Sequence, residues 1–433
     1  MSEVLGGRGR GLVAGLAHAG ALDAEAYEKR GRSRRLERGP EGEFSSTAVE
    51  AGWAVRAGDL RHSWFASGAG ELPLAASWPQ PTANPLWLPE PRPPAPWSAP
   101  AAFAAPLAGE SEARALLDAV TRELARELPG ARLGSALFEE GASEWSLVSS
   151  RGVAATGAAR AATLRLVAER NAHTVTAETW AFEAREMKPL AVARRLVDRL
   201  LALEGGARPH GSALLVAAPL AARLVEALSP WLIGREAPAR ASALAGRGGR
   251  LGAPGLRLVD DGALASGLLS SASDGEGIPC RELTLVEDGR FVRPLLAWWE
   301  AESPAAASGC VRRASYRDLP RRAATHLYLA GDPRLGVPEL VAEAGDGAYL
   351  IDAEGTVAVE PASGRFSVAV TGFALESGRA KGGLGRRVLA GTLGGWLGGV
   401  RAAARDLTFV AGDGMFGSPT LLVDGLDLGV PGS

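Results

Sequence analysis

The sequence predicts an α+β protein in which a mixed sheet-and-helix region is followed by a β-rich C-terminal domain. Three observations lead there. Two amphipathic helical patterns, Glu110 to Glu127 and Pro189 to Leu203, alternate with strand-like runs in the first 206 residues. Beyond them the helical period fades, and short β-rich runs punctuated by glycine take over. A stretch from 72 to 108, crowded with prolines and holding Trp78, Trp87 and Trp97, interrupts the first region. Proline fixes φ and removes a donor, so this stretch reads as an extended connector packed along the surface, or alternatively as a polyproline ligand. The 433 residues exceed one ordinary domain. The expected division is an α+β unit at 1–71, the connector at 72–108, a second α+β unit at 109–206 and the β-rich domain at 207–433.

In order along the chain, residues 11–22 have helical spacing and end near Gly20 and Asp23. Ala24 to Leu36, Ala48 to Val55 and Leu60 to Ser67 read as a strand meander with a turn at Arg38-Gly39-Pro40-Glu41-Gly42. The helix at Glu110 to Glu127 carries Ala113, Leu116, Leu117, Val120 and Leu124 on one face. Strand signals follow at 132–138, 145–149, 160–168 and 174–181, and the second helix stops at Gly205-Gly206. In the C-terminal half the β-rich runs are 212–217, 282–286, 325–329, 347–351, 366–371 and 419–423, with helices expected only at Pro219 to Ser229 and Pro338 to Ala344.

Composition narrows the function. With 47 basic and 49 acidic residues the net charge is -2, which makes no electrostatic case for nucleic acid or an anionic membrane. No apolar run approaches the roughly 20 residues of a membrane span, and no signal peptide is evident. Two cysteines, Cys280 and Cys310, do not make a disulfide framework. These points together predict a soluble, cytoplasmic protein.

Several segments of the C-terminal half, taken in order, resemble the TldD/PmbA family. Ala213-Leu-Leu-Val-Ala-Ala-Pro219 is a strand feeding a helix, and Leu256-Arg-Leu-Val-Asp-Asp-Gly262 is a strand ending in an acidic turn. Ser273-Asp-Gly-Glu-Gly-Ile-Pro279 is similar to that family's Asp-Gly-Glu-Gly-Val-Pro turn, and Leu285-Val-Glu-Asp-Gly289 to a following hairpin. Thr325-His-Leu-Tyr-Leu-Ala-Gly331, Ser363-Gly-Arg-Phe-Ser-Val368, Ala374-Leu-Glu-Ser-Gly378 and Gly417-Ser-Pro-Thr-Leu-Leu-Val423 complete the series. Each fragment alone is weak; their order is specific. Weaker matches reach back to Val148-Ser-Ser-Arg-Gly152 and the first meander, while the proline-rich stretch has no counterpart.

Catalytic members of that family, the resemblance implies, bind zinc through a helical His-Glu-x-x-x-His pattern, spacing that puts both imidazoles on one face. The corresponding stretch here, Pro219-Leu-Ala-Ala-Arg-Leu-Val-Glu-Ala-Leu-Ser229, contains no histidine, and Glu226 alone cannot hold zinc. The five histidines, His18, His62, His173, His210 and His326, form no helical pair. His210, His326 and Cys280 read as ordinary residues, with a zinc site assembled from them in space as the alternative. No Gly-x-Ser-x-Gly elbow, Ser-x-x-Lys or phosphate-binding loop is present. Gly246-Arg-Gly-Gly249, Gly382-Gly-Leu-Gly385 and Gly394-Gly-Trp-Leu-Gly-Gly399 read as turns or packing segments, and Asp260-Asp261 and Glu139-Glu140 as solvated acids at turns.

The resemblance therefore implies a TldE (PmbA)-like subunit of a heteromeric metallopeptidase, with no cofactor of its own. Zinc would sit in a TldD-like partner, and this chain would supply chamber wall and interface for peptides or peptide precursors. The alternatives are a stand-alone peptide-binding or scaffold protein of the same fold, and an enzyme with an unrecognised metal site. Candidate contacts are the turn Asp274, Gly275, Glu276 and Gly277, read as structural or as a ligand-facing loop with positive φ at two glycines. Arg312 and Arg313 join them, in an arginine cluster with Arg317, Arg321 and Arg322 that could hold an anion such as a peptide C-terminus, or serve as solvated surface or subunit contact.

Overall fold

The computed structural model describes residues 7–71, 81–99 and 105–431. Trp78 and the parts 72–80 and 100–104 of the predicted connector lie outside the described residues. Helix α1 (Gly7–His18) leads into strands β1 (Asp23–Gly39), β2 (Gly42–Gly58) and β3 (Ser63–Ala69). Helix α2 (Glu110–Glu127) is followed by β4 (Arg132–Ser149), β5 (Ala154–Arg170), β6 (His173–Ala181) and helix α3 (Pro189–Glu204).

The six strands form one sheet in the order β3-β2-β1-β4-β5-β6. This corrects the division into units at 1–71 and 109–206: β1 pairs antiparallel with β4 from Glu25 opposite Ser149 to Arg38 opposite Ala136. A free meander would expose the backbone donors of β1, and β4 satisfies them. The pairing also makes β4 continuous through 139–144, where no apolar alternation marks a strand. Glu139, Glu140 and Glu144 there lie opposite Arg35, Arg34 and Arg30, so complementary charge fills the register. Glu140 is not a solvated turn residue as expected. It is buried, accepts from Arg160 Nη2 at 2.6 Å and from the Ala108 N–H at 2.6 Å, and so anchors the end of the connector.

Alternation along β1 assigns its two faces. Ala24 and Ala26 pack with Leu12 and Val13 of α1. Leu36, on the same face, joins Phe138, Leu164 and Leu166 under α2 and α3, whose apolar stripes are the ones the sequence predicts. Glu25 and Tyr27 point the other way, toward the C-terminal half. Within the described part of the connector, Leu86 and Leu88 are buried and the Ala95 N–H donates to Ala272 O at 3.0 Å, while Trp87 is exposed.

The C-terminal half opens with β7 (Ala213–Val216), α4 (Ala218–Leu228), α5 (Ala237–Leu244), β8 (Leu258–Asp261), β9 (Glu282–Glu287) and β10 (Arg290–Phe291). It continues with β11 (Val311–Arg312), β12 (Arg321–Arg322), β13 (His326–Leu329), α6 (Val337–Ala344), β14 (Gly347–Val359), β15 (Arg365–Glu376) and β16 (Arg379–Gly383). The end comprises β17 (Arg387–Thr392), α7 (Leu393–Gly398), β18 (Val400–Ala403), β19 (Thr408–Ala411), β20 (Met415–Ser418), β21 (Leu421–Val423) and β22 (Asp427–Gly429). One sheet runs β10-β9-β8-β13-β20-β19; another runs β18-β21-β7-β14-β15-β17-β22, with β16 also on β15. Helix α4 packs against strands of both, and Leu220, Ala221, Leu224, Val225 and Leu228 enter one shared core. A β-rich domain with a buried helix between its sheets matches the predicted fold class.

Helix α7 escapes sequence reading because Leu-Gly-Gly-Trp-Leu-Gly has poor helix propensity. It forms because the Thr392 hydroxyl accepts from the Gly395 N–H at 3.0 Å and Trp396 is fully buried. The Gly382-Gly-Leu-Gly385 segment has an equally structural purpose. A Cβ on Gly205, just past α3, would lie 1.9 Å from the Gly383 carbonyl oxygen, so only glycine allows the two halves to approach here. Gly205→Ala is expected to cost about 1–3 kcal/mol through overpacking, read as a lowered urea midpoint.

Candidate functional site

Strand β6 ends its sheet and β19 ends the β10-to-β19 sheet, so among the described residues each keeps one edge without a strand partner. Both line one cleft of about 780 Å3, β6 through 176–180 and β19 through 408–410. Strand β14 contributes Asp352, Ala353, Gly355, Thr356 and Val357, around an irregularity in its register with β15 between Glu354 and Ala358. Helix α3 supplies Arg195 and Arg199, one turn apart.

Helix α4 forms another wall. Its only positions not buried are Pro219, Arg223, Glu226 and Ala227, and these four line the cleft. Their spacing of four, three and one residues is a single helical face. The remaining face is apolar because two sheets cover it, and the open face carries Arg223 Nη1 donating to Glu226 Oε2 at 2.8 Å and to the Ala411 carbonyl at 2.8 Å. A second, smaller pocket of about 330 Å3 shares Trp180 and Phe409 with the cleft and is lined further by Phe182, Leu268, His326 and Met415.

The residues present do not fit a zinc ion. The cleft face of α4 offers one carboxylate, already held by a guanidinium, and no imidazole. His326 has both ring nitrogens engaged: Nδ1 lies 2.8 Å from the Asp261 carbonyl and Nε2 accepts from the Leu269 N–H at 3.2 Å. Burial holds its pKa down at about 4, so the ring is neutral. His210 is exposed on a separate loop, and burial pushes the Cys280 thiol up to about 12. Among the described residues no three His, Cys, Asp or Glu side chains converge to hold a metal. Nor are Asp260 and Asp261 solvated, as the sequence suggested. Both are buried on β8, and burial pushes Asp260 up to about 6 while its carboxylate accepts from the Thr325 N–H at 2.7 Å.

The six residues expected as ligand contacts do not line the cleft. Asp274 accepts from the N–H groups of Glu276 at 2.9 Å, Ile278 at 3.0 Å and Val311 at 3.0 Å, which closes the turn. Gly277 has φ +83° and a Cβ there would strike Val153 at 2.4 Å, whereas Gly275 is not in the positive-φ region, so one glycine and not two needs that freedom. Glu276 is fully buried beside Arg56 of β2, whose Nη2 donates to it at 2.9 Å and whose Nε donates to Glu25 of β1 at 2.6 Å. Arg313 also donates to Glu25, donates to the Gly275 carbonyl at 2.9 Å and stacks over Tyr27 at 4.8 Å. Arg312 donates to the Leu269 carbonyl and to Thr325. The rest of that arginine cluster is paired as well: Arg317 with Glu50, Arg321 with Asp413 and Arg322 with Glu300. The turn and Arg313 thus join the N-terminal sheet to the C-terminal half. The cleft residues Trp180, Arg195, Arg199, Arg223 and Phe409 were not singled out in the sequence; the four-residue spacing of Arg195 and Arg199 along α3 was the available signal.

Burial would raise Glu25, but Arg313 and Arg56 outweigh it and hold it at about 2, whereas burial wins at Glu276 and pushes it up to about 7. Stability from Glu25 is therefore complete above its ordinary value of 4.5 and falls away toward pH 2. Glu276 has the opposite sign: its contribution is complete below 4.5 and is lost as pH rises toward about 7. The melting temperature of Glu276→Gln relative to the native protein should accordingly rise between pH 5 and pH 7.5. Arg56→Ala, which strands the buried Glu276 and leaves Glu25 with Arg313 alone, should lose about 3–5 kcal/mol in chemical unfolding at pH 7.5.

Comparison with known proteins places this architecture. Residues 211–430 match the model of the PmbA/TldA metallopeptidase C-terminal domain. The chain is similar to the crystal structure of TldE from Thermococcus kodakarensis, with a TM-score of 0.84 at 16% identity, over 97% of this chain and 99% of the other. It is also similar to a proposed modulator of DNA gyrase from Thermotoga maritima, with a TM-score of 0.79 at 16% identity over 96% and 98% of the two chains. A protein described in the same words from Bacteroides thetaiotaomicron gives 0.76 at 14% identity over 98% of each. No curated protein sequence matches. The family model covers just over half of the chain, and the chain therefore belongs to the PmbA/TldD family, with a TldE-like fold.

Proposed function

We propose that this chain is a non-catalytic subunit of a heteromeric zinc metallopeptidase, holding extended peptides beside a TldD-like partner that carries the zinc. The observation that supports it most is the face α4 turns to the cleft, where Arg223 and Glu226 stand in place of a histidine pair. A guanidinium there repels a divalent cation and occupies the carboxylate that could have bound one. The cleft nevertheless keeps the features of a peptide groove. The unpaired edges of β6 and β19 offer backbone donors and acceptors to an added strand, and Trp180 and Phe409 offer apolar contact for alternate side chains. In this reading the partner supplies the metal, the general base and the attacking water, and this chain supplies binding and enclosure. No helix among the described residues is long and apolar enough to cross a membrane, and action on peptides in the cytoplasm belongs to the same proposal.

Co-expression with a zinc-bearing family member tests it. The expected result is a stable complex that contains zinc and cleaves unstructured peptides, while this chain purified alone has neither property. Stoichiometric zinc and full activity in the isolated chain would overturn the assignment. Arg223→His alone is expected not to confer zinc binding, because Glu226 and one imidazole fall short of the three protein ligands a catalytic site uses; zinc analysis after dialysis checks this.

A further inference from the structure

The charges around the cleft do not cancel. Arg165 faces Glu178 at 3.3 Å, Arg223 faces Glu226 at 2.8 Å, and Arg199 is paired with Asp352. Arg195 lines the same cleft and makes no hydrogen bond or ion pair among the described residues. Its guanidinium is only half-buried, one turn from Arg199, so it is neither free in solvent nor neutralised by protein. Burial and then the neighbouring Arg199 hold Arg195 below the ordinary arginine range, with Asp352 the only carboxylate pulling the other way. An unneutralised cation in such a place gains most from an incoming anion, because desolvation has already weakened its contact with water.

We infer that Arg195 is the anchor for a carboxylate on an extended peptide lying in this cleft. The inference rests on the reading of the cleft as a peptide groove. A strand added along β6 presents alternate residues toward α3, so a carboxylate could arrive from an acidic side chain or from the peptide C-terminus. A planar fork of donors suits either source equally. Trp180 and Phe409 are shared with the smaller pocket of about 330 Å3, where Phe182, Leu268 and Met415 add room for an apolar residue on the same peptide. His326 in that pocket is neutral, and the Glu186 carboxylate that also lines it accepts from the Phe182 N–H at 3.1 Å. The arginines at 312 and 313, which looked suited to this task in the sequence, are committed to internal partners. The cleft arginine without a partner is on α3 instead.

The test uses the full chain and four peptides of one valine- and phenylalanine-containing sequence, with affinities read by calorimetry at low salt. One has a free C-terminus, one is amidated, one is amidated with a central glutamate, and one is amidated with glutamine in that place. A free C-terminus as the anchor predicts about tenfold or greater preference for the first peptide over the second. A side-chain anchor predicts the same preference for the third over the fourth. In either case Arg195→Gln abolishes the preference, Arg195→Lys restores part of it, and Arg194→Gln, which removes the neighbouring exposed arginine that pairs with Glu127 outside the cleft, leaves it intact. Circular dichroism confirms that each variant is folded, which is expected because no carboxylate loses its partner at Arg195. Equal binding of all four peptides would overturn the carboxylate assignment and leave the peptide groove standing. No binding of any of them would overturn both.

Discussion

The buried ion network of Glu25, Arg56, Glu276 and Arg313 is the constraint on which the arrangement of the two halves depends. Glu25 and Arg56 belong to neighbouring strands of the N-terminal sheet; Glu276 and Arg313 come from two loops of the C-terminal half. Charges so buried are costly unless each is met, so separation of the halves would strip Glu276 and Arg313 of their ion partners and leave Glu25 and Arg56 with each other alone. Beside the network Tyr316 packs over Gly52, where any Cβ would lie 2.2 Å from the ring, together with Tyr27, Leu147 and Val153. The polar network selects one docking geometry and the aromatic contact fills it.

That geometry creates the cleft. The edge of β6 belongs to the N-terminal sheet and the edge of β19 to the C-terminal half, and neither alone encloses a groove. Helix α3 bridges them, with its apolar stripe under the first sheet and its C-terminus against Gly383 of β16. Helix α4 is clamped between two sheets, so its four cleft-facing positions are held rigidly. A helix so placed could present metal ligands with precision. Here it presents an arginine–glutamate pair, which keeps the wall polar and charged.

The sequence revealed much of the local structure. The five apolar positions of α2 were read correctly because a 3.6-residue period survives without tertiary help, and the β1–β2 turn was legible from its Gly and Pro. Family likeness was legible from ordered turn motifs, and the histidine-free stretch at Pro219 to Ser229 was read directly. The continuity of β4 was not, since its middle is charged and is held as strand only by opposite charges on β1.

What the sequence by itself determined was therefore the fold class, the family and the lack of a helical histidine pair, all properties of residues close together along the chain. The tertiary structure alone decided what the conspicuous charges do. Glu276 and Arg313 look like parts of a ligand loop in one dimension and become an internal joint, because their partners Arg56 and Glu25 lie more than two hundred residues away, while Asp274 closes the turn that carries Glu276. Arg195 looks like an ordinary helix-surface arginine and becomes the unpaired cation of a cleft. Whether a charge is paired depends on what folding brings beside it.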